Sequence, residues 1–246
     1  MVVGMRAVIE TIRAGQPMGK IYVYERAQDR ALLRQLWGLA KERAIPCSKV
    51  PAAYLKRLST KNHQGAIAFV SPIPFVDLGN LIQNLYEEGK MPLLVLLDRV
   101  QDVRNMGAIA RTALSMGVDA MVIPTQGSAL IGEDAMKTSA GALNHLSLCR
   151  VPTLSSAITY LQESGLQVIA CDEKAKKPIT AAFLSQPTAF LFGNEGVGIE
   201  QTHRKMADHA FTIPMQGAIA SLNVSAAAAI VLYECARQRR VGPKSS

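Results

Sequence analysis

Apolar positions in the first seventy residues recur with two different periods. Met5 to Arg13 and Asp29 to Arg43 carry them at three- and four-residue steps, and Leu32, Leu33, Leu36, Leu39 and Ala40 mark one face of the second segment. This spacing predicts two amphipathic helices. Ile21-Tyr22-Val23-Tyr24 and Ala66 to Val70 are rich in β-formers and predict strands. Between them lie a short piece at Pro46 to Val50 and a helical pattern at Ala52 to Leu58. Ser71-Pro72-Ile73-Pro74 then breaks the rhythm and reads as the start of a linker, followed by a bridging helix at Val76 to Glu87. Domain limits of 1–71, 72–90 and 91–246 follow for an N-terminal domain, a linker and a C-terminal domain.

From Met91-Pro92 onward the pattern becomes strand then helix, repeated. Near-continuous apolar runs at Leu93–Asp98, Ala120–Pro124, Ser147–Val151, Gln167–Cys171, Ala189–Phe192 and Ala210–Ile213 predict six strands. Helical patterns at Met106–Ser115, Ser155–Glu163, Ile199–Met206 and Leu222–Arg239 separate most of them. Strands this apolar, alternating with helices, indicate an α/β domain whose parallel sheet is covered on both faces. The run Ala226 to Ala229 gives the last helix a thin face that another element or subunit can approach.

Composition narrows the class. The 246 residues are 49% hydrophobic with few aromatics, enough for a sizeable core. No run approaches the roughly 18 apolar residues of a membrane span, and the N-terminus meets charge too early for a signal peptide. The four cysteines are scattered without C-x-x-C spacing, so reduced thiols in a cytoplasmic protein are expected, with no metal site. Charge is uneven. Residues 1–70 hold twelve Lys/Arg against four Asp/Glu, a net of +8, while the remainder holds fifteen of each sign. An excess confined to one third of the chain points to a polyanion such as nucleic acid.

Three strand-to-helix junctions could carry chemistry. Asp98 to Arg111 runs from a strand end into a helix beginning near Asn105, where Asn105 can act as a cap. Arg111, flanked by Ala110, Thr112, Ala113 and Leu114, would need an anionic partner if buried. Phe190 to Ile199 crowds three glycines into a turn with G-x-x-G-x-G spacing, which is neither the dinucleotide nor the triphosphate pattern. A nicotinamide enzyme is disfavoured for that reason. Glu195 in this turn calls for backbone N–H groups or a ligand. Ile213 to Glu234 joins a strand end to an apolar helix through Met215 to Ala220 and Ser221-Leu222-Asn223. A capped core helix and a ligand pocket at a strand's carboxyl end both fit this stretch.

Asn105-Met106-Gly107-Ala108-Ile109-Ala110-Arg111, Phe192-Gly193-Asn194-Glu195-Gly196, and Ile213-Pro214-Met215-Gln216-Gly217 with Ser221-Leu222-Asn223-Val224-Ser225 together resemble the three signature motifs of the SpoU (TrmH-type) branch of the SPOUT methyltransferases. Gly4-x-x-Ala7-Val8 and His63-Gln64-Gly65-Ala66-Ile67-Ala68 look like the substrate-binding domain of bacterial enzymes that 2′-O-methylate a guanosine in 23S ribosomal RNA. The resemblance covers nearly the whole chain. It departs at Arg6, where those enzymes often carry His.

The resemblance implies a C-terminal SPOUT domain with a deep trefoil knot, which general topology rules disfavour. It further implies a small α/β RNA-binding domain resembling ribosomal-protein modules, a homodimer, and S-adenosylmethionine as cofactor. The cofactor would lie against Gly193, Ile213, Met215 and Leu222. Asn105, Arg111, Glu195, Ser221 and Asn223 would form the catalytic cluster, and Arg6, His63 and Gln64 would meet RNA. Guanidinium is not normally deprotonated in proteins, so Arg111 is read as a phosphate anchor that stabilises alkoxide character, oriented by Glu195 and Asn105, with the base role left open. His63 reads equally as a base-stacking group or a turn-packing one. His145, His203 and His209 read as structural, and Trp37 as core. Transfer RNA, another ribosomal site, or a non-catalytic RNA-binding protein on the same fold are the alternatives.

Overall fold

The computed structural model describes residues 1–217 and 221–241. The chain forms two compact units, Met1–Pro74 with Leu130–Gly132 and Phe75–Ala129 with Glu133–Ser246. The first holds β1 (Val2–Val3), α1 (Met5–Arg13), β2 (Met18–Tyr24), α2 (Arg30–Glu42), β3 (Cys47–Val50), α3 (Ala52–Leu58) and β4 (Ala66–Val70). Its sheet runs β1-β4-β2-β3, with β2 and β3 parallel and the other pairs antiparallel.

Periodicity becomes packing here. Met5, Val8, Ile9 and Ile12 of α1 are buried at i, i+3, i+4, i+7 and join Leu36 and Ala40 of α2 over Ile21, Val23, Ala66 and Ala68. The Asp29 carboxylate accepts the Ala31 and Leu32 N–H groups, so α2 begins one residue after it. Trp37, read as core from the sequence, is only half-buried and lies outside this cluster. Trp37 stands about 100° round the helix from Leu36, at the edge of the buried face.

The second unit holds α4 (Leu78–Glu87), β5 (Leu93–Asp98), α5 (Val103–Ser115), β6 (Ala120–Pro124), α6 (Glu133–Thr138), β7 (Ser147–Val151), α7 (Leu154–Glu163), β8 (Gln167–Cys171), β9 (Lys177–Pro178), β10 (Thr188–Gly193), α8 (Gln201–Met206), β11 (His209–Thr212) and α9 (Val224–Val241). Helix α4, which the sequence placed in a bridging segment, belongs to this unit. The seven strands are all parallel, in the order β7-β6-β5-β10-β8-β11-β9.

Leu94 and Leu96 of β5 face α4 and α7 through one core cluster. The alternate residues Leu93, Val95 and Leu97 are as deeply buried, so they face the opposite layer. There α5 packs against both α6 and α9, and α9 reaches β10. Gly107 permits the approach of α6: a Cβ at that position would stand 2.6 Å from Thr138 Cβ and 2.9 Å from the Ser139 nitrogen. Among the described residues no helix is long and apolar enough to cross a membrane.

Candidate active site

From β5 the chain goes outward through β6 and β7, then returns to place β10 on the other side of β5. Open α/β sheets bind ligands at such a reversal, beyond the carboxyl ends of the strands. A cavity of about 690 Å³ lies there, walled by the segments that follow β8, β10 and β11 and by the start of α9. Gly193, Ile213, Met215 and Leu222 all line it, as do Glu195 and Ser221. The volume falls within the roughly 300–1,000 Å³ of small-molecule pockets. Met215 and Leu222 are 40% and 36% exposed, which is unusual for large apolar side chains with nothing against them.

The glycine turn after β10 is closed on itself. A Cβ on Gly193 would overlap the backbone of Gly198 and Ile199. The Gly198 N–H donates to the Asn194 carbonyl at 2.8 Å, and Asn194 Oδ1 accepts the Gly196 and Val197 N–H groups. The sequence assigned such N–H groups, or a ligand, to Glu195. It is Asn194 that takes them, because its shorter side chain folds back onto the turn while Glu195 extends outward.

The turn is held from outside by Asp98, a residue the motif reading passed over. Its carboxylate is 1% exposed at the end of β5. It accepts the Glu200 N–H at 2.6 Å and Arg99 Nε at 2.9 Å, and it lies 3.1 Å from His203 Nδ1. Asn194 Nδ2 donates to the Arg99 carbonyl at 3.1 Å. His203 is thus structural, as expected, with a specific duty. Asp98, Glu200 and His203 bring potential ligand atoms within 4.8 Å of one another. The hydrogen bonds already made by Asp98 account for that proximity without a cation.

Catalytic candidates meet in a relay. Asn223 Nδ2 donates to Asn105 Oδ1 at 3.1 Å, and Asn105 Nδ2 donates to Glu195 Oε1. Asn223 Oδ1 simultaneously accepts the Ser225 N–H at 2.9 Å and Ser225 Oγ at 2.6 Å, capping α9. Asn105 is not itself a cap. Asp102 caps α5 by accepting the Arg104 N–H, which puts Asn105 in the first turn with its amide free to reach across. Arg111 stands apart. Six residues from Asn105 it lies ~9 Å along the helix and about 120° around it. It is exposed, and its guanidinium has no hydrogen bond or ion pair with any described residue. Glu195 and Asn105 therefore hold each other rather than Arg111.

Known proteins decide what this assembly is. The SpoU rRNA Methylase family model matches residues 92–233, and the model for RNA 2′-O ribose methyltransferase substrate binding matches residues 1–76. The chain belongs to the SpoU/TrmH family of RNA methyltransferases. Enzymes of this family take their methyl group from S-adenosylmethionine. A putative TrmH family tRNA/rRNA methyltransferase of Bacillus subtilis, YacO, is 31% identical over 97% of this chain and 95% of its own. The SpoU methyltransferase AviRb of Streptomyces viridochromogenes, solved with AdoMet, shares the fold with a TM-score of 0.63 at 24% identity, covering 98% of this chain and 90% of that one. The A. aeolicus TrmH/SpoU tRNA modifying enzyme matches 67% of this chain and 85% of its own at 28% identity, with a TM-score of 0.57. The C-terminal unit accordingly has the SPOUT methyltransferase fold.

The SpoU substrate-binding region contains the three candidate RNA contacts. Arg6 is exposed on α1, and Gln64 is exposed with a φ of 43° just before β4. A Cβ on Gly4 would lie 3.6 Å from Gln64 Oε1, so the start of α1 and this turn are neighbours. His63 Nδ1 accepts the Gly65 N–H at 3.2 Å, which supports its turn-packing reading. The cysteines are all free, and burial pushes the thiols of Cys47 and Cys149 up to about 12 and raises those of Cys171 and Cys235. None is activated as a nucleophile.

Proposed function

We propose that this protein transfers a methyl group from S-adenosylmethionine to a ribose 2′-hydroxyl of RNA, with a guanosine of 23S ribosomal RNA as the target. One observation carries the reading: the Asn223–Asn105–Glu195 relay ends on a carboxylate in the wall of the cavity at the sheet's reversal. The cavity suits the methyl donor. Ile213, Met215 and Leu222 offer an apolar wall for an adenine ring, and the carboxylates of Glu173 and Glu195 also line the cavity, whereas Asp172 pairs with Arg204.

A donor bound there would supply an electrophilic methyl group: its C–S bond would break as the C–O bond forms, S-adenosylhomocysteine would leave, and the hydroxyl proton would pass to solvent. Gly193, without a Cβ, lets the Gly198–Ile199 backbone close the turn that lines the cavity. Asn105 and Asn223 fix the Glu195 carboxylate, and Ser221 lines the same cavity. Arg111, which does not line the cavity, holds an RNA phosphate. Its exposed fork, without a partner among the described residues, supports a role toward substrate rather than toward the protein. Exposed Ile230 and Tyr233, three residues apart on α9, support a homodimer through that helix, which sedimentation across a concentration series tests.

The test is labelled methyl transfer to 23S ribosomal RNA and to transfer RNA, with 2′-O-methyl positions mapped at nucleotide resolution. Transfer RNA is the second reading, favoured by relatives whose names give both substrates. Methylation of a base, or none with either RNA, refutes the proposal. Arg111→Lys keeps the charge but loses the bidentate fork. It should lower kcat by roughly 10²–10³-fold, the effect of removing one preorganised donor, and near-wild-type turnover would remove Arg111 from the mechanism.

A further inference from the structure

A second concavity lies in the N-terminal unit and shares no lining residue with the catalytic cavity. It encloses about 640 Å³ between the end of β2, the outer face of α2 and the edge strand β3. Arg30, Leu33, Arg34 and Trp37 line it at i, i+3, i+4, i+7, so one helical face supplies two guanidinium groups and an indole. Lys49 of β3 adds a third cation, its Nζ 5.9 Å from the centre of the Trp37 ring. Arg30, Arg34 and Lys49 are all exposed and form no ion pair with any described residue. Glu25 is the sole carboxylate of the lining.

Trp37 is not a core residue. Leu36 and Ala40 on the same helix are fully buried in the core, while Trp37 is turned out of it toward three cations. A part-exposed indole with Lys49 over its ring, ringed by cations that form no ion pair with a described residue, matches one ligand chemistry: a nucleobase stacked on the ring with its flanking phosphates on the cations. Base stacking on a side chain needs an unstacked base, which selects single-stranded over duplex RNA. An acidic protein partner would find the cations but gain nothing from the exposed indole face.

We infer that the Trp37 groove is an RNA-docking subsite that takes a single-stranded segment of the substrate, stacking one base on Trp37 and holding adjacent phosphates through Arg30, Arg34 and Lys49. The inference rests on the reading of the protein as an RNA-modifying enzyme, and it adds a contact region separate from Arg6, His63 and Gln64. The subsite would hold RNA outside the catalytic cavity and so contribute to choosing the target.

Trp37 is the only tryptophan of the chain, so its emission reports this groove alone. The experiment titrates the full-length protein with a short single-stranded oligoribonucleotide, following Trp37 fluorescence and, separately, the anisotropy of a labelled copy. Saturable quenching that coincides with the anisotropy change is expected, and a duplex of the same sequence should not quench. Trp37→Ala should weaken binding by about tenfold, within the range of base–aromatic stacking, with Trp37→Phe restoring most of it. Arg34→Ala should reduce the slope of log affinity against log salt by about one.

RNA binding without quenching, equal quenching by duplex, or wild-type affinity in Trp37→Ala would each overturn the assignment. So would the absence of binding. Should Trp37→Ala fail to fold, quenching in the wild type and the Arg34→Ala salt slope still decide. Quenching by RNA in a protein that transfers no methyl group would instead refute the catalytic reading and leave the groove standing.

Discussion

Asp98→Asn separates the loop's support from its chemistry, because Asp98 does not line the cavity yet holds the turn that does. The substitution is nearly isosteric and removes one acceptor oxygen and the charge. Asparagine can keep its carbonyl toward the Glu200 N–H, but its NH₂ then faces Arg99 Nε, donor against donor. A hydrogen bond to a charged group contributes about 1.5–3 kcal/mol and a neutral one about 0.5–1.5. The Arg99 bond is lost, and its partly exposed guanidinium puts that loss near the low end. The Glu200 bond survives in neutral form. About 2–3 kcal/mol is the resulting cost, and a domain of this size loses roughly 2–4 °C of Tm per kcal/mol.

The functional consequence follows from where that energy was spent. If about 2 kcal/mol of it held the Gly193–Glu200 turn in its binding shape, the competent fraction falls and the apparent Kd for S-adenosylmethionine rises by roughly 30-fold. Calorimetric titration of cofactor and a thermal melt on the same preparation read both quantities. A variant with wild-type Tm and wild-type cofactor affinity would refute the reasoning, since a buried carboxylate with these partners cannot be neutral to both.

Asn223→Asp keeps the oxygen that caps α9 but loses the NH₂ that reaches Asn105, so kcat should fall while Tm stays close to wild type; Asn223→Ala should lose both, with about 1 kcal/mol of capping energy gone. Wild-type kcat in Asn223→Asp would remove the relay from the mechanism. With all four thiols raised by burial, a disulfide reagent at pH 7.5 should label the native protein slowly and the unfolded protein at four sites; one fast native thiol would contradict this. Burial raises the Asp119 carboxyl above its ordinary 3.8, so its contribution to stability is full below that pH and is lost as pH rises through the folded value. Asp119→Asn keeps an acceptor for the Leu93 N–H without the charge, so its Tm should exceed wild type at pH 7–8 and match it near pH 3.5.

Much of the architecture could be read because its signals are local. The Asp29 cap, the 3.6-residue spacing of α1 and the five-residue apolar run Leu93–Leu97 of β5 are each complete within a few positions. Helix α6 escaped because only Ala135 of its six residues is buried, leaving no periodicity to detect. The strands β1 and β9, two residues each, are too short to alternate. Strand order was closed to the sequence for a different reason: strands buried on both faces look alike, and nothing in Leu93–Leu97 says that β10 rather than β8 lies beside it. The start of α5 was misplaced by three residues because Asp102 and Asn105 are both cap formers, and only the hydrogen bond to Arg104 chooses between them. Asp98 was invisible as a support because its partners lie 102 and 105 residues away.

The Ile213–Glu234 junction offered two readings, a capped helix or a pocket wall, and Asn223 shows that they were never exclusive. Capping needs only a side-chain oxygen, which Ser, Thr or Asp supplies as well. The relay to Asn105 needs a donor on the same side chain at the same moment. Among the good capping residues only asparagine has a carbonyl oxygen and an NH₂ fixed at opposite corners of one plane, so that one end can hold the helix while the other points into the site. A serine hydroxyl can donate and accept, but from a single atom that cannot span Ser225 and Asn105 together. The residue type at this position is therefore set by the active site and not by the helix, and the stability of α9 becomes coupled to the placement of Glu195 two side chains away.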